Sequence, residues 1–498
     1  MMFRNPFKST PVHSRADLYL HNTLGNEKQR FTLPPIARYV RMYNCGPTVY
    51  GQQHIGNLSM FVFTDVLRRV LEYHNHEVKQ VINITDFGHL TGDNEGDADI
   101  GEDRMTKGLK REHMKVTMEN MAKLADKYAE IFLEDLRTLN IDTSRIELPR
   151  ASHYISAQIA MIQTLIEKGY AYETKDGVYY DTLRFPTYGA LGGIDLEGLK
   201  AGARVAMSSE KRNPTDFLLW KSDTSLGWQS PWGMGFPGWH IECSAMARAV
   251  LGEQIDIHTG GIEHIPIHHN NEIAQSEAAT GKKPFSRFWM HRAHLQIDGG
   301  KIAKSTGNVV YLSDIIEHGF HPQALRYLAL GAHYRTNANF TWESLAAAQS
   351  ALVKLTAYYL EHNVMGTDTD VPAKWSQEFD HRINDDLDTP GALATVWAMI
   401  KNDTYTREEK CAALRIVDSV CGLSITYPDD ELRALASAEI RTEITLNDLP
   451  TTVRSLVEER ENARADKNWS RSDELRTEIS SHGYTLDDMK DGVKVYKV

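Results

Sequence analysis

The stretch MYNCGPTVYGQQHIGN, residues 42–57, contains a cysteine, a proline turn and a His-Ile-Gly-Asn step. Residues 36–44 and 77–85 have the β-branched, turn-bounded character of buried strands, and apolar residues between them recur at helical spacing. A strand, a glycine-containing loop, a helix and a second strand form a right-handed βαβ unit. Such sheets bind ligands at the loop that follows the first strand, so residues 45–57 are predicted to border an active site.

The overall composition restricts the class of protein. A chain of 498 residues, 41% of them hydrophobic, is long enough for several domains, and it has no apolar run long enough to cross a membrane. Four scattered cysteines do not suggest a disulfide framework, which favours a reducing cytoplasm. A net charge of −12 argues against nonspecific nucleic-acid binding over the whole surface but allows a local basic path.

The rest of the chain divides by pattern. Residues 92–103 carry six acidic side chains and no basic one, which indicates a solvated loop rather than a calcium site, whereas residues 104–140 have a helical pattern. Residues 150–233 contain a strand pair in AYETKDGVYYDT and fit a domain inserted into the sheet. After residue 345 the pattern is helical, with Thr389 predicted as an N-cap, and residues 450–498 suggest one long charged helix followed by short strands.

A metal site is suggested by HHNNE, residues 268–272. His268 and Glu272 lie four residues apart and would share a helix face, although such pairs are also common on surfaces without a metal. Cys45 and Cys243, near two strand-to-helix junctions, would complete a four-coordinate zinc set. From spacing alone, two buried structural cysteines are an equally good interpretation.

Two further segments could bind phosphate. GGKIAKSTGN, residues 299–308, places Lys301 and Lys304 in a glycine-flanked loop that could close on a polyphosphate, although a solvated basic turn has the same composition. The segment does not match a P-loop. His54 and Asn57 flank Gly56, which permits close approach of a ligand to the backbone, but a structural histidine is the simpler interpretation.

Taken together, these motifs closely resemble those of the cysteinyl-tRNA synthetases, a class I aminoacyl-tRNA synthetase family. The resemblance extends from about residue 18 to the end of the chain and is carried in family order by YNCGPTVYGQQHIGN, AGARV, KRNPTDFLLWK, SPWGMGFPGWHIECSAM, HTGGIEHIPIHHNNEIAQSEA, WMHRAHLQIDGGKIAKSTGN and LRYLALGAHYR. It implies an α/β fold in which a Rossmann-like catalytic domain with an inserted domain is followed by an α-helical bundle and a small C-terminal α+β segment.

The resemblance also implies roles for individual residues. One zinc ion per chain would be held by Cys45, Cys243, His268 and Glu272, with an open position for the substrate thiolate. Gly46, Thr48 and Trp239 would line the cysteine pocket. The catalytic residues would be His54, Asn57, Lys301 and Lys304, of which His54, Asn57 and Lys304 would bind ATP together with Mg²⁺.

Two positions depart from the family pattern. Asn57 stands where the HIGH signature often ends in histidine, and KIAKS replaces the usual KMSKS, so both lysines are kept and the first serine is lost. Because asparagine still donates hydrogen bonds, we expect retuned activation rather than loss of function.

The resemblance implies a division of the chain and a set of partners. The partners would be L-cysteine, ATP and tRNA(Cys), without a membrane, in the cytoplasm. The expected parts are an N-terminal extension (1–16), a split catalytic domain (17–148 and 234–285), an inserted connective domain (149–233), a lysine-loop and stem-contact region (286–345), a helical anticodon-binding bundle (346–445) and a C-terminal tRNA-binding segment (446–498).

Two other functions remain open from the sequence. A ligase that joins cysteine to an amino sugar in small-thiol biosynthesis shares the catalytic half, but the roughly 150 residues after position 345 argue against it. A nonenzymatic zinc-containing RNA-binding homologue is disfavoured because His54, Lys301 and Lys304 are all present.

Overall fold

The opening stretch folds as predicted, with a strand at Val40–Asn44, a loop, and a helix that begins at Ile55. The structure is a computed structural model, and it describes residues 16–88, 104–193, 211–297, 300–301, 309–363, 369–440, 442–489 and 492–497. The predicted solvated loop at 92–103 and most of the N-terminal extension lie outside these ranges. None of the described helices combines the length and the apolar character needed to cross a membrane.

The strands are numbered in chain order. They are β1 (Tyr19–Asn22), β2 (Glu27–Arg30), β3 (Val40–Asn44), β4 (Val78–Ile82), β5 (Ile146–Glu147), β6 (Ala171–Glu173), β7 (Gly177–Tyr180), β8 (Phe217–Ser222), β9 (Trp228–Ser230), β10 (Gly233–Pro237), β11 (Ile255–Gly261), β12 (Ser286–Arg292), β13 (Leu295–Ile297), β14 (Gly300–Lys301), β15 (Ala338–Phe340), β16 (Thr442–Ile444), β17 (Tyr484–Met489) and β18 (Gly492–Lys497).

The α-helices are numbered in the same way. They are α1 (Ile55–Tyr73), α2 (Arg104–Arg111), α3 (Met118–Thr138), α4 (Ile155–Glu167), α5 (Trp239–Leu251), α6 (Asn270–Thr280), α7 (Leu312–Glu317), α8 (Pro322–Leu330), α9 (Trp342–His362), α10 (Ala373–Ile383), α11 (Thr389–Ile400), α12 (Arg407–Cys421), α13 (Asp430–Glu439), α14 (Thr451–Ala465) and α15 (Trp469–Ser481).

A parallel sheet organises the N-terminal half, in the strand order β12-β11-β3-β4-β5. The chain moves outward from β3 through β4 to β5 and, later, from β11 to β12 on the other side. The direction of winding therefore changes between β3 and β11, and open α/β sheets bind ligands in the crevice at the carboxyl ends of such strands. This confirms the βαβ unit predicted from the sequence pattern and the Rossmann-like domain that the resemblance implies.

The predicted inserted segment forms its own sheet. Strands β6 to β10 pair antiparallel in the order β6-β7-β8-β10-β9, between two parts of the parallel sheet in sequence. Its buried side chains, including Tyr180 and Trp220, form an apolar cluster with α4, α5 and α6. The insertion thus packs against the helices that border the crevice.

The C-terminal helices share a core with the parallel sheet. A single apolar cluster contains buried side chains of β3 and α1 together with those of α8 to α13. An ion pair reinforces the junction, because the buried carboxylate of Asp65 in α1 pairs with Arg326 of α8 as well as with Arg68 and Arg69 of its own helix. Removal of α9 to α13 would therefore expose a large apolar surface of the catalytic part.

The last 50 residues have a separate core. Leu449, Val457, Ile479, Tyr484 and Val495 belong to a small cluster made only of side chains from this segment. The prediction of one long helix here is wrong, because α14 ends at Ala465 and Asn468 caps a second helix, α15. An asparagine side chain that accepts a backbone N–H is a strong signal for a new helix start.

One predicted helix cap is also wrong. The N-cap of α11 is Asp388, whose side chain accepts the backbone N–H of Gly391 at 2.9 Å, and Thr389 is the first helical residue. Aspartate is the better cap of the two because its carboxylate also interacts favourably with the positive end of the helix dipole.

Candidate active site and metal centre

The four predicted metal ligands come together from three parts of the fold. Cys45 directly follows β3, Cys243 lies in the second turn of α5, His268 lies in a single π-helical turn, and Glu272 lies in the first turn of α6. All four residues are buried, and one potential ligand atom from each lies within 4.8 Å of all the others. The cluster lies at the carboxyl end of β3, where the sheet topology predicts a ligand.

The chemistry of this cluster suits a zinc ion. The His268 Nε2 atom is 3.0 Å from Glu272 Oε1, and the Cys45 sulfur is 3.7 Å from the same oxygen. Two thiols, one imidazole and one carboxylate are all ligand types that zinc accepts in tetrahedral sites. The residues therefore fit the metal that the resemblance implies.

The electrostatics of the cluster favour a cation. A hydrogen bond from the Cys45 thiol lowers the pKa of Cys243 to about 6, whereas burial raises the pKa of Cys45. Burial alone would lower the pKa of His268, but Glu272 and the Cys243 sulfur raise it to about 10. A buried thiolate and carboxylate need positive charge nearby, and in the metal-free protein the proton on His268 supplies part of it.

A second group of four residues overlaps the first. Cys45, His258, His269 and Glu272 also place potential ligand atoms within 4.8 Å of one another. His258 Nε2 lies 2.9 Å from Glu272 Oε2, and its ring stacks on Trp289 at 4.4 Å. We favour the first group as the metal site because it offers two sulfur ligands, whereas His258 is placed to orient Glu272 through the carboxylate's other oxygen.

The sequence reasoning missed most of the histidines around this cluster. Hydrogen-bond contacts run from Thr23 Oγ1 to His291 Nδ1 (2.7 Å), from His291 Nε2 to His269 Nδ1 (2.7 Å), and from His269 Nε2 to the Cys45 sulfur (3.3 Å). Burial lowers the pKa of both His269 and His291, so the two imidazole rings in this series of hydrogen bonds are neutral. The signal available in the sequence was the density of histidines between residues 258 and 269.

His240 supports the candidate ligand His268 from the other side. The Nδ1 atoms of the two rings lie 2.8 Å apart, which leaves Nε2 of His268 facing Glu272. Ligating histidines commonly use their second nitrogen in this way, and the bond fixes the orientation of the ring. The geometry matches that arrangement.

The predicted substrate-binding residues border the four candidate metal ligands. The ring of Trp239 stacks on that of His268, with centroids 4.5 Å apart. Thr48 forms an isolated β-bridge with Thr85, which follows the C-terminal end of β4. Gly46 has no room for a side chain, because a Cβ there would lie 1.6 Å from the carbonyl oxygen of Asn83. The structure thus brings Gly46, Thr48 and Trp239 to the same crevice as the four candidate ligands.

The His-Ile-Gly-Asn step forms the start of α1. His54 is the N-cap, and its Nδ1 accepts the backbone N–H of Asn57 at 3.2 Å. The Asn57 side chain is exposed and donates to Gln53 Oε1 at 2.7 Å. A helix N-terminus with an exposed amide side chain favours an anionic ligand, which is compatible with the ATP role predicted for these residues.

Residues 310 and 311, which follow the lysine loop in sequence, lie next to the start of this helix. The backbone of Lys301 belongs to β14, which pairs with β13, while Lys304 lies outside the described residues. Downstream of the loop, Tyr311 forms a bridge to His54, and the N–H of Ile55 donates to the carbonyl of Val310 at 2.9 Å. The segment that follows the lysines is therefore bonded to the predicted ATP-binding step.

Comparisons with known proteins agree with this arrangement. The sequence profile of the family described as "tRNA synthetases class I (C) catalytic domain" matches residues 33–350, and that of "Cysteinyl-tRNA ligase anticodon binding domain" matches residues 446–495. The chain belongs to the class I cysteinyl-tRNA synthetases. It is thus an aminoacyl-tRNA synthetase, with the fold predicted from the resemblance.

Curated relatives match over nearly the whole chain. Cysteine–tRNA ligase 1 of Burkholderia lata is 43% identical over 96% of this chain and 97% of its own. Cysteine–tRNA ligases of Chlorobaculum tepidum and Treponema denticola are 40% and 38% identical, over 96% and 95% of this chain and 98% of each relative. The matched regions thus include at least 97% of each of these relatives.

Solved structures agree on the fold. The methionyl-tRNA synthetase of Mycobacterium tuberculosis bound by methionyl-adenylate has a TM-score of 0.55 at 12% identity and covers 80% of this chain and 96% of its own. A second structure of that enzyme in complex with methionyl-adenylate has a TM-score of 0.54 at 12% identity, covering 80% of this chain and 93% of its own. At this identity the likeness concerns the class I fold alone.

Proposed function

We propose that this cysteinyl-tRNA synthetase activates L-cysteine with ATP and transfers it to the 3′ end of tRNA(Cys), in the cytoplasm. The cysteine carboxylate attacks the α-phosphate of ATP, pyrophosphate leaves, and a terminal ribose hydroxyl of the tRNA then attacks the adenylate. The observation that carries the proposal is the buried group of Cys45, Cys243, His268 and Glu272 at the sheet crevice. No side chain needs to act as a nucleophile, so positioning and charge stabilisation provide the catalysis.

The four residues of this group would hold one zinc ion. When bound, zinc would supply a binding position that favours a thiolate over a neutral hydroxyl, which suits discrimination of cysteine from serine. A purely apolar pocket separates such isosteres by only about 1–3 kcal/mol. Gly46, Thr48 and Trp239 would enclose the remainder of the amino acid beside this position.

ATP, with Mg²⁺, would bind at the start of α1. His54 and Asn57 would donate hydrogen bonds to its phosphates, and Lys304, with Lys301, would neutralise the charge that develops as pyrophosphate leaves. The hydrogen bond from the Ile55 N–H to the carbonyl of Val310 and the bridge between His54 and Tyr311 support this proposal, because the residues that follow the lysine loop lie beside the helix N-terminus.

The tRNA would contact the C-terminal segment. Trp469 is 58% exposed at the start of α15, and the Arg464 guanidinium lies 5.8 Å from the centre of its ring. An exposed tryptophan beside an arginine is a typical platform for stacking an unpaired base. Since residues 446–495 match an anticodon-binding family, we infer that this pair contacts the anticodon.

The alternative ligase of small-thiol biosynthesis is not favoured. A ligase that joins cysteine to an amino sugar has no use for an RNA-contacting domain, whereas the segment after residue 446 has its own core and an exposed aromatic platform. The three curated relatives described above disfavour a nonenzymatic RNA-binding role, since all three are named ligases.

The proposal is tested by cysteine-dependent exchange of pyrophosphate with ATP, followed by charging of tRNA. We expect exchange with cysteine and charging of tRNA(Cys), and no product with an amino sugar as acceptor. Exchange without tRNA charging, with a cysteine–amino sugar product, would assign the alternative function instead.

A further inference from the structure

Arg292 is a buried cation that has no acidic partner among the residues that the structure describes. It is the last residue of β12 and is 6% exposed. The three other buried arginines of the described residues all pair with carboxylates: Arg68 with Asp65 and Glu72, Arg326 with Asp65, and Arg460 with Asp488. Arg292 forms no such pair with any acidic side chain in the described ranges, and its one hydrogen bond there runs from Nε to Ser59 Oγ at 3.1 Å.

An unpaired buried guanidinium is costly unless a ligand neutralises it. Transfer of a charged group out of water is unfavourable, and a missing counter-charge leaves that cost uncompensated. Burial lowers the pKa of Arg292 to about 10, which still leaves it charged at neutral pH. Its terminal nitrogens form no hydrogen bond to a described residue, and 6% of the residue remains exposed. The side chain is therefore available to an anion.

The position of Arg292 in the fold indicates which anion it binds. It ends β12 at the carboxyl edge of the parallel sheet, in register with Gly261 of β11. Its partner Ser59 lies in the first turns of α1 and donates to the carbonyl oxygen of Gly56 at 2.7 Å. Arg292 is thus linked through a single side chain to the glycine of the His-Ile-Gly-Asn step, where the proposed function places ATP.

We propose that Arg292 binds the triphosphate of ATP, in addition to His54, Asn57 and the lysine loop. This inference rests on the proposed function for the location of the nucleotide. A guanidinium presents several donors in a planar fork that matches phosphate oxygens, which a single ammonium group cannot reproduce. The hydrogen bond to Ser59 holds Nε, so the terminal nitrogens remain free for the phosphates.

The experiment compares Arg292→Gln and Arg292→Lys with the wild type. We expect Arg292→Gln to raise the KM for ATP in pyrophosphate exchange by about 10-fold or more, with the KM for cysteine and the zinc content unchanged. Arg292→Lys keeps the charge but not the fork, so an intermediate rise is expected. The matched control is Arg287→Gln, because Arg287 lies on the same strand but pairs with Asp256 at the other end of the sheet.

Direct measurement of nucleotide binding distinguishes a contact with phosphate from a structural role of Arg292. In equilibrium dialysis, Arg292→Gln should weaken binding of ATP about 10-fold or more while binding of adenosine stays the same. Its unfolding temperature should not fall, since the substitution removes an unpaired buried charge. If Arg292→Gln does not fold, Arg292→Lys carries the same comparison.

Two results would overturn the inference: an unchanged affinity for ATP, or an equal loss for ATP and adenosine. The dialysis does not depend on cysteine or tRNA. Absence of cysteine-dependent exchange in the wild type would therefore refute the proposed function while the ATP measurement still decides the role of Arg292.

Discussion

The Nε2 atom of His268 lies 3.0 Å from Oε1 of Glu272, although the two residues belong to different helical segments. His268 lies in the π-helical turn Ile265–His269 and Glu272 lies in the first turn of α6, and their spacing of four residues puts both side chains on one face. The other oxygen of Glu272 accepts from His258. This carboxylate is thus fixed on both sides, as a metal ligand must be if its geometry is to persist.

The first prediction concerns the metal. Cys243→Ser should reduce bound zinc to well below one per chain and raise the KM for cysteine much more than that for ATP, because serine is a poor zinc ligand at neutral pH. Zinc per chain is measured by elemental analysis after dialysis against a chelator. Cys411→Ala, a buried cysteine of α12, provides the control and should keep the metal.

A companion variant distinguishes the two overlapping groups of candidate ligands. His258→Gln should retain a stoichiometric zinc ion, since His258 is expected to orient Glu272 and not to bind the metal. Complete loss of zinc in His258→Gln, with retention in Cys243→Ser, would show that the second group holds the metal.

The second prediction concerns the lysine loop. Lys304→Ala should lower the turnover of pyrophosphate exchange by about 100-fold or more with little change in the KM for cysteine, because its charge acts on the developing pyrophosphate. The rate is measured at saturating ATP and cysteine. An unchanged turnover number would remove Lys304 from the mechanism.

The third prediction concerns tRNA recognition. Trp469→Ala should leave cysteine activation unchanged and reduce charging of tRNA(Cys) by about 10-fold or more, since stacking of one base contributes about 1–3 kcal/mol. Removal of residues 446–498 should have a larger effect on charging and again spare activation. Equal charging rates for the wild type and Trp469→Ala would contradict the assignment of the platform.

The truncation point in this experiment is chosen so that the apolar core shared by α1 and the C-terminal helices stays complete. A chain that ended at residue 345 would lose the helices that share an apolar cluster with α1, so it would not fold. A chain that ends at residue 445 loses a segment whose buried side chains contact mainly one another. Only the second truncation separates activation from tRNA binding.

The fourth prediction concerns pH and stability. Burial raises the pKa of Asp135 in α3 to about 7, and its Oδ2 atom has no hydrogen-bond partner among the described residues. The folded state therefore holds this proton more tightly than the unfolded chain, and stability falls as the pH rises from about 4 to about 7. Asp135→Asn should unfold at a higher temperature than the wild type at pH 8, with a smaller difference at pH 4. A difference that does not vary with pH would contradict this.

The sequence was sufficient to predict the βαβ unit and the helical C-terminal region. The apolar spacing in α1 and the turn residues around Gly56 determine those elements locally. The choice of Cys45, Cys243, His268 and Glu272 as one group depended on the family resemblance as well, because spacing alone left two buried structural cysteines equally possible; the structure brings the four residues together.

Other features of the site depend on tertiary contacts. His291 reaches Cys45 through His269, and Arg292 is unusual because it pairs with no carboxylate in the described part of the chain. Neither fact has a local signature, since a histidine and an arginine at a strand end are common. The cap at Asp388 and the helix break before Asn468 were errors of one position or one turn, where neighbouring polar residues compete for the same backbone groups.

The most direct test of the central claim compares cysteine with serine in ATP–pyrophosphate exchange, using the zinc-loaded protein and the same protein after removal of the metal by a chelator. The account predicts efficient exchange with cysteine alone in the loaded protein, and loss of most of that activity and of the preference for cysteine after removal. Equal exchange with cysteine in the two preparations, with serine still rejected, would contradict it.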